Sequence, residues 1–186
     1  MNTNYTDIRN LETGSNKQKK AFQAINETRI FEILSDFNPF LAGTIPIDID
    51  VDDSDLDIIC ETKDFGSFEN LVKSHFAHCK GFSSYRFAAR DKPSLVLKFI
   101  SHDFKFEIFC QDTPVIDQYA VIHFLVEKKL LEAFGDDAKK KIRKLKEEGL
   151  KTEPAFAKYF NIPGDPYIEL AKLKGLSKDE LKKHFT

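Results

Sequence analysis

The sequence predicts an α+β fold: a small mixed β-sheet flanked by helices, with a helical C-terminal half. Three observations lead there. Apolar residues recur at helical spacing near the N-terminus, alternate with polar ones in short runs between residues 55 and 111, and return to helical spacing after Pro114. The 186 residues are enough to bury a sizeable core, and 41% apolar against 31% charged residues is the balance of an ordinary globular protein. We expect an α/β core over 1–114 and a helical region over 115–186 packed on it.

The elements follow in order. From Asn16, the spacing of Phe22, Ile25, Ile30, Ile33 and Leu34 fits one or two helices, broken at Asn38-Pro39. Phe40-Leu41-Ala42 reads as a short buried strand ending at Gly43-Thr44. Asp55 to Cys60 alternates, with Leu56 and Ile58 on one side and Asp55 and Asp57 on the other. Phe68, Leu71, Val72 and Phe76 mark a helix. Strand-like runs follow at Ser84 to Ala88, Ser94 to Ile100 and Phe104 to Gln111, the last two joined as a hairpin through Ser101-His102-Asp103. A helix over Val115 to Phe134 carries Val115, Tyr119, Ile122, Val126, Leu130 and Ala133 along one stripe and ends at Gly135. More helices are expected at about 137–149, 153–160, 166–174 and 178–185, with Pro154 and Pro166 in first turns and Asp165 as an N-cap.

Composition narrows the function. Eighteen phenylalanines and no tryptophan make Phe the main bulk of the core. Residues 1–135 carry a net charge of −6 and residues 136–186 a net +4, an acidic front and a basic tail. No apolar run is long enough for a membrane span and the N-terminus is too polar for a signal peptide. Cys60, Cys79 and Cys110 form no C-x-x-C pair and read as reduced thiols, so a cytoplasmic protein is expected.

Six aspartates lie between Asp48 and Asp57, at 48, 50, 52, 53, 55 and 57. The first four read as an exposed acidic loop. An EF-hand is excluded, because Asp55 stands where the loop needs glycine and Pro46 lies just upstream. Asp55 and Asp57 differ in lying on the strand pattern, where carboxylates at i and i+2 point the same way and can grip a hard cation. A third acid is needed, and Glu107 supplies it: in Phe104 to Phe109 the apolar Phe104, Phe106 and Ile108 take one face and Glu107 the other.

Gly43-Thr44, nine further residues, then Ser54-Asp55-Leu56-Asp57 resembles the signature of the polymerase-beta-like nucleotidyltransferase superfamily, with Glu107 as its acid on a later strand. Nearly the whole chain resembles a smaller bacterial branch of it catalogued as a domain of unknown function. The matching stretches are Gly43 to Pro46, Ser54 to Glu61, Gln118-Tyr119-Ala120 with His123 and Glu127, Lys151 to Phe156, and Gly164 to Tyr167. The resemblance implies that Gly43, Thr44 and Ser54 bind the nucleotide, and that Asp55, Asp57 and Glu107 are catalytic and hold Mg²⁺ (or Mn²⁺). It also implies transfer of a nucleoside monophosphate from a nucleoside triphosphate to an unidentified acceptor hydroxyl, with the metals stabilising the attacking and leaving oxygens. A nucleotide- or metal-binding module without turnover is the alternative. Where the superfamily commonly has a second glycine, five residues after the first, stands Asp48, whose charge is expected to oppose a triphosphate.

Arg86, Arg90, His123 and Glu127 are further candidates for contacting substrate, His123 being more simply a satisfied structural histidine. The basic run Lys139 to Lys146 invites an RNA-binding reading. Ala138, Ile142 and Leu145 recur within it at helical spacing, so its lysines are expected on a solvated outer face and nucleic acid is disfavoured as a partner.

Overall fold

Strict alternation of side chains along the strands decides what each face of the sheet meets. The computed structural model describes residues 8–185. Its strands are β1 (Phe40–Ala42), β2 (Leu56–Glu61), β3 (Lys80–Ala89), β4 (Lys92–Ser101) and β5 (Phe104–Gln111), in the order β1-β2-β5-β4-β3. β2 and β5 are parallel and the other neighbours antiparallel, giving the expected mixed sheet. Both hairpins turn on two residues of positive φ, Arg90-Asp91 and His102-Asp103, which matches the twist of the flanking strands.

Leu56, Ile58, Cys60, Phe106, Ile108, Leu95 and Leu97 face one way. The helices α1 (Asn16–Thr28), α2 (Ile30–Ile33) and α3 (Phe65–Phe76) cover them, forming the first core. Phenylalanine supplies its bulk as expected: Phe76 and Phe106 stack on either side of Phe99, at ring distances of 4.5 and 4.9 Å.

The opposite face is divided. Over β1 and β2 it carries Phe40, Ala42 and Ile59, which pack under α4 (Tyr119–Glu147) in a second core that includes α5 (Thr152–Phe160), α6 (Pro166–Lys172) and α7 (Lys178–Phe185). Over β4 and β3 the same face opens to solvent, leaving Tyr85 and Phe87 nearly half exposed. The helices lie close to the expected ranges. Asp165 caps α6 as its position suggested, accepting from Tyr167 N and Ile168 N at 2.8 and 3.3 Å. Gly135 interrupts α4 with φ 72 and ψ −158, the stop expected there.

Three readings are corrected. Tyr119 is exposed rather than part of the buried stripe, because the helix proper begins at that residue. Asp55 precedes the first residue of β2. The basic run is not simply a solvated face, since Lys139, Arg143 and Lys146 reach back to the acidic loop. No described helix is long and apolar enough to cross a membrane.

Candidate active site

Register places the carboxylates. Ala42, Asp57, Glu107 and Lys98 are successive partners across β1, β2, β5 and β4, one row on the divided face. Asp57 and Glu107 are therefore neighbours at the strand spacing, about 4.8 Å between backbones. Both lie on the seam between the helix-covered and open halves.

A cavity of about 750 Å³, within the usual size for small-molecule sites, opens at this seam. Asp55, Asp57 and Glu107 line it together with Gly43, Thr44 and Ser54. Burial first, then the charges of Asp55 and Glu107, pushes the Asp57 carboxyl up to about 8, against the pull of Lys98 and Lys146. Glu107 is met by Lys98 at 2.5 Å, and that hydrogen bond raises the lysine. Among the described residues no three acid, histidine or cysteine side chains converge closely enough to hold an ion as they stand.

Gly43 is fixed by its surroundings. Its φ is +75, and a Cβ there would collide with Asp57 Oδ2. The backbone thus rests directly on the carboxylate. Thr44 Oγ1 donates to Ser54 Oγ at 3.1 Å, and Ser54 Oγ accepts from Val51 N at 2.9 Å, so the two hydroxyl residues brace the loop between β1 and β2.

The acidic loop is held from both sides. Buried Gln18 donates to Ile45 O at 2.9 Å, and Lys17 to Val51 O at 2.6 Å while pairing with Asp50 at 3.3 Å. Asp48 has φ 58, so it takes up the left-handed conformation a glycine would otherwise serve. Its carboxylate pairs with Arg143 at 3.1 Å and Lys139 at 3.6 Å and does not line the cavity, so its charge is answered by α4. Lys146 donates to Ile49 O at 3.0 Å and does line the cavity, and burial lowers it to about 8.

Of the further candidates, Arg90 lines the cavity with its guanidinium 3.8 Å from the Tyr119 ring centre. His123 and Glu127 also line it, both buried. His123 is fully engaged, Nδ1 with Glu153 Oε1 at 3.0 Å and Nε2 with Tyr167 O at 2.8 Å, as a structural histidine is. Arg86 is not brought to the site. It pairs with Leu95, whose side chain lies in the first core, and it meets Glu69 of α3 at 3.0 Å on the opposite face. Lys98 and Lys146 escaped the sequence reading. Lys98 could have been found by extending the alternation of Glu107 one strand further, whereas Lys146 is hidden among similar lysines.

The five-stranded sheet and its helical half make up a fold also found in known polymerases. Solved structures share it: a variant of the Cid1 poly(U) polymerase bound to MgATP (TM-score 0.53, 14% identity), and the same polymerase bound to MgGTP (0.50, 14%). The GLD-2/RNP-8 complex shares it as well (0.50, 14%). The matches cover 84, 84 and 92% of this chain but 49, 49 and 66% of theirs, so the chain spans about half the length of the Cid1 structures. At this identity the likeness is one of fold. No curated protein matches the sequence. The profile of the family described as a domain of unknown function, DUF4269, matches residues 23–173, and the chain belongs to that family.

Proposed function

We propose that the chain is a metal-dependent nucleotidyltransferase that moves a nucleoside monophosphate from a nucleoside triphosphate to an acceptor hydroxyl. The observation that carries this is the placement of Asp57 opposite Glu107 in the register of β2 and β5, beside Asp55 and under the Gly43 backbone, in one cavity.

The donor set fits a hard divalent cation: carboxylate oxygens only, one of them buried among like charges that a cation would relieve. Asp55, Asp57 and Glu107 would hold Mg²⁺ or Mn²⁺, Glu107 exchanging Lys98 for the metal. When bound, the metal supplies charge stabilisation to the transferring phosphoryl group. Gly43 allows close approach of the backbone, and Thr44 and Ser54 present hydroxyls to the phosphates. Lys98 and Lys146 add positive charge against a triphosphate, while Arg143 and Lys139 keep Asp48 from opposing it.

The test is titration calorimetry with nucleoside triphosphates and Mg²⁺ or Mn²⁺, comparing wild type with Asp55→Asn/Asp57→Asn. Binding by wild type and its loss in the double variant is expected; wild type that binds no nucleotide with either metal refutes the proposal. The ion pair between Glu107 and Lys98 favours a second reading, a nucleotide-binding module without turnover. Pyrophosphate release in an acceptor screen that includes RNA excludes it.

A further inference from the structure

The open half of the sheet face carries aromatic rings that no helix covers. Tyr85 and Phe87 of β3 alternate with Ser84 and Arg86, which turn to Glu69 of α3, so both rings stand on the side of the carboxylate row. They are 46 and 44% exposed. Their centres lie 5.9 Å apart, and Phe87 meets Phe109 edge-on at 6.3 Å, although β4 runs between their strands. Phe109 lines the cavity. It stands two residues beyond Glu107 on the same face, about 7 Å along the strand. The three rings form a line from the solvent-facing sheet to the carboxylates.

Single exposed apolar side chains are ordinary, whereas adjacent ones that continue into a cavity mark a binding surface. Charge indicates what it binds. From Ser83 to Ala89 and from Lys92 to Lys98, the positions on this side hold no acid, and their charged residues are Lys92 and Lys98. Lys92 is the partner of Ala89, just past Phe87, and lines the cavity. Lys98 is the partner of Ser83, just before Tyr85. One lysine therefore flanks the rings at each end. Flat rings with cations at both ends match unstacked bases and their phosphates, since every base offers a face to stack. A duplex keeps its base faces covered, and an apolar protein surface would have to desolvate both lysines.

We propose that Tyr85, Phe87 and Phe109 form a stacking platform for single-stranded nucleic acid, with Lys92 and Lys98 meeting its phosphates. The inference rests on the nucleotidyltransferase reading in one part only, the role of the strand as acceptor. In that role its terminal hydroxyl, held beside Glu107, bonds to the α-phosphorus while pyrophosphate leaves and the hydroxyl proton passes to water. The expectation against nucleic acid came from the run Lys139 to Lys146 on α4, whereas the platform lies on the sheet.

Binding of a fluorescein-labelled single-stranded RNA of about 12 nucleotides is measured by anisotropy, without metal or nucleotide. Wild type is expected to bind it at least about tenfold tighter than the same sequence as a duplex, with a log–log salt slope of about −1.4 from two phosphate contacts. The chain has no tryptophan, so Phe87→Trp places a single reporter on the platform. That variant is expected to keep the affinity and to lose fluorescence as bases stack on the indole. Phe87→Leu keeps the apolar bulk and removes the ring; it is expected to bind at least about fivefold more weakly while melting close to wild type. Binding that leaves the Phe87→Trp fluorescence unchanged, or that Phe87→Leu does not weaken, overturns the proposal. So do equal affinity for the duplex, a flat salt dependence and no binding by wild type. A dimer in sedimentation that Phe87→Leu dissociates assigns the rings to a second copy of this chain and overturns it as well. Strand binding without triphosphate binding refutes the proposed function and leaves the platform standing; triphosphate binding without strand binding does the reverse.

Discussion

Replacing Asp57 by asparagine is expected to stabilise the ligand-free protein while removing its affinity for metal and nucleotide. Folding moves the Asp57 carboxyl from 3.8 to about 8, by burial and by the charges of Asp55 and Glu107. The folded chain therefore holds this proton more tightly than the unfolded chain. The stability that goes with the proton is complete below about pH 4 and is lost as the pH rises to about 8. At pH 7 the difference corresponds to roughly 4 kcal/mol, and relaxation of the loop reduces what a measurement returns. Asparagine keeps the shape and drops the charge. Urea denaturation without divalent metal is expected to show the variant more stable than wild type by at least about 1 kcal/mol near pH 8.5, the gap closing towards pH 4. Mg²⁺ is expected to raise the melting temperature of wild type and leave that of the variant unchanged. A variant less stable than wild type at the higher pH, or a gap that does not change with pH, refutes the reasoning.

Two further outcomes follow from the same loop. Gly43→Ala forces a Cβ against Asp57 Oδ2 at a positive φ; a stability loss of about 1–2 kcal/mol is expected by urea denaturation, with nucleotide affinity reduced at least about tenfold by calorimetry. Arg143→Ala uncovers Asp48, and a weakening of triphosphate binding that Asp48→Gly restores is expected, because φ 58 suits glycine and the repelling charge is then gone.

The sequence made the elements legible because each carried its own period. Leu56 and Ile58 alternate with Asp57, Phe106 and Ile108 with Glu107, and Pro114 and Gly135 punctuate the helices where the chain turns. The row of Asp57 and Glu107 followed from that alternation once the two strands were taken as neighbours. What alternation cannot carry is which face of a helix meets which loop. Lys139, Arg143 and Lys146 look alike in a basic run, yet they clamp a loop about a hundred residues earlier in the chain, a long-range pairing that no local spacing encodes. Arg86 and Arg90 are four apart and looked equivalent. A strand puts Arg86 on the α3 side, while the turn at Arg90 carries it over Tyr119. The line of Tyr85, Phe87 and Phe109 was invisible for the same reason, since Phe87 and Phe109 meet only because the sheet order sets β3 and β5 on either side of β4.

Pairing across parallel strands makes the row of Asp57 and Glu107 all-or-none. A slip of β5 by one residue would send Glu107 into the first core and bring Phe106 and Ile108 out, so an intermediate arrangement is not available. The site cannot wear gradually. A molecule presents both carboxylates or lacks the pair, and in a partly denatured sample the number of binding sites falls with the native fraction while the affinity of each remaining site stays constant.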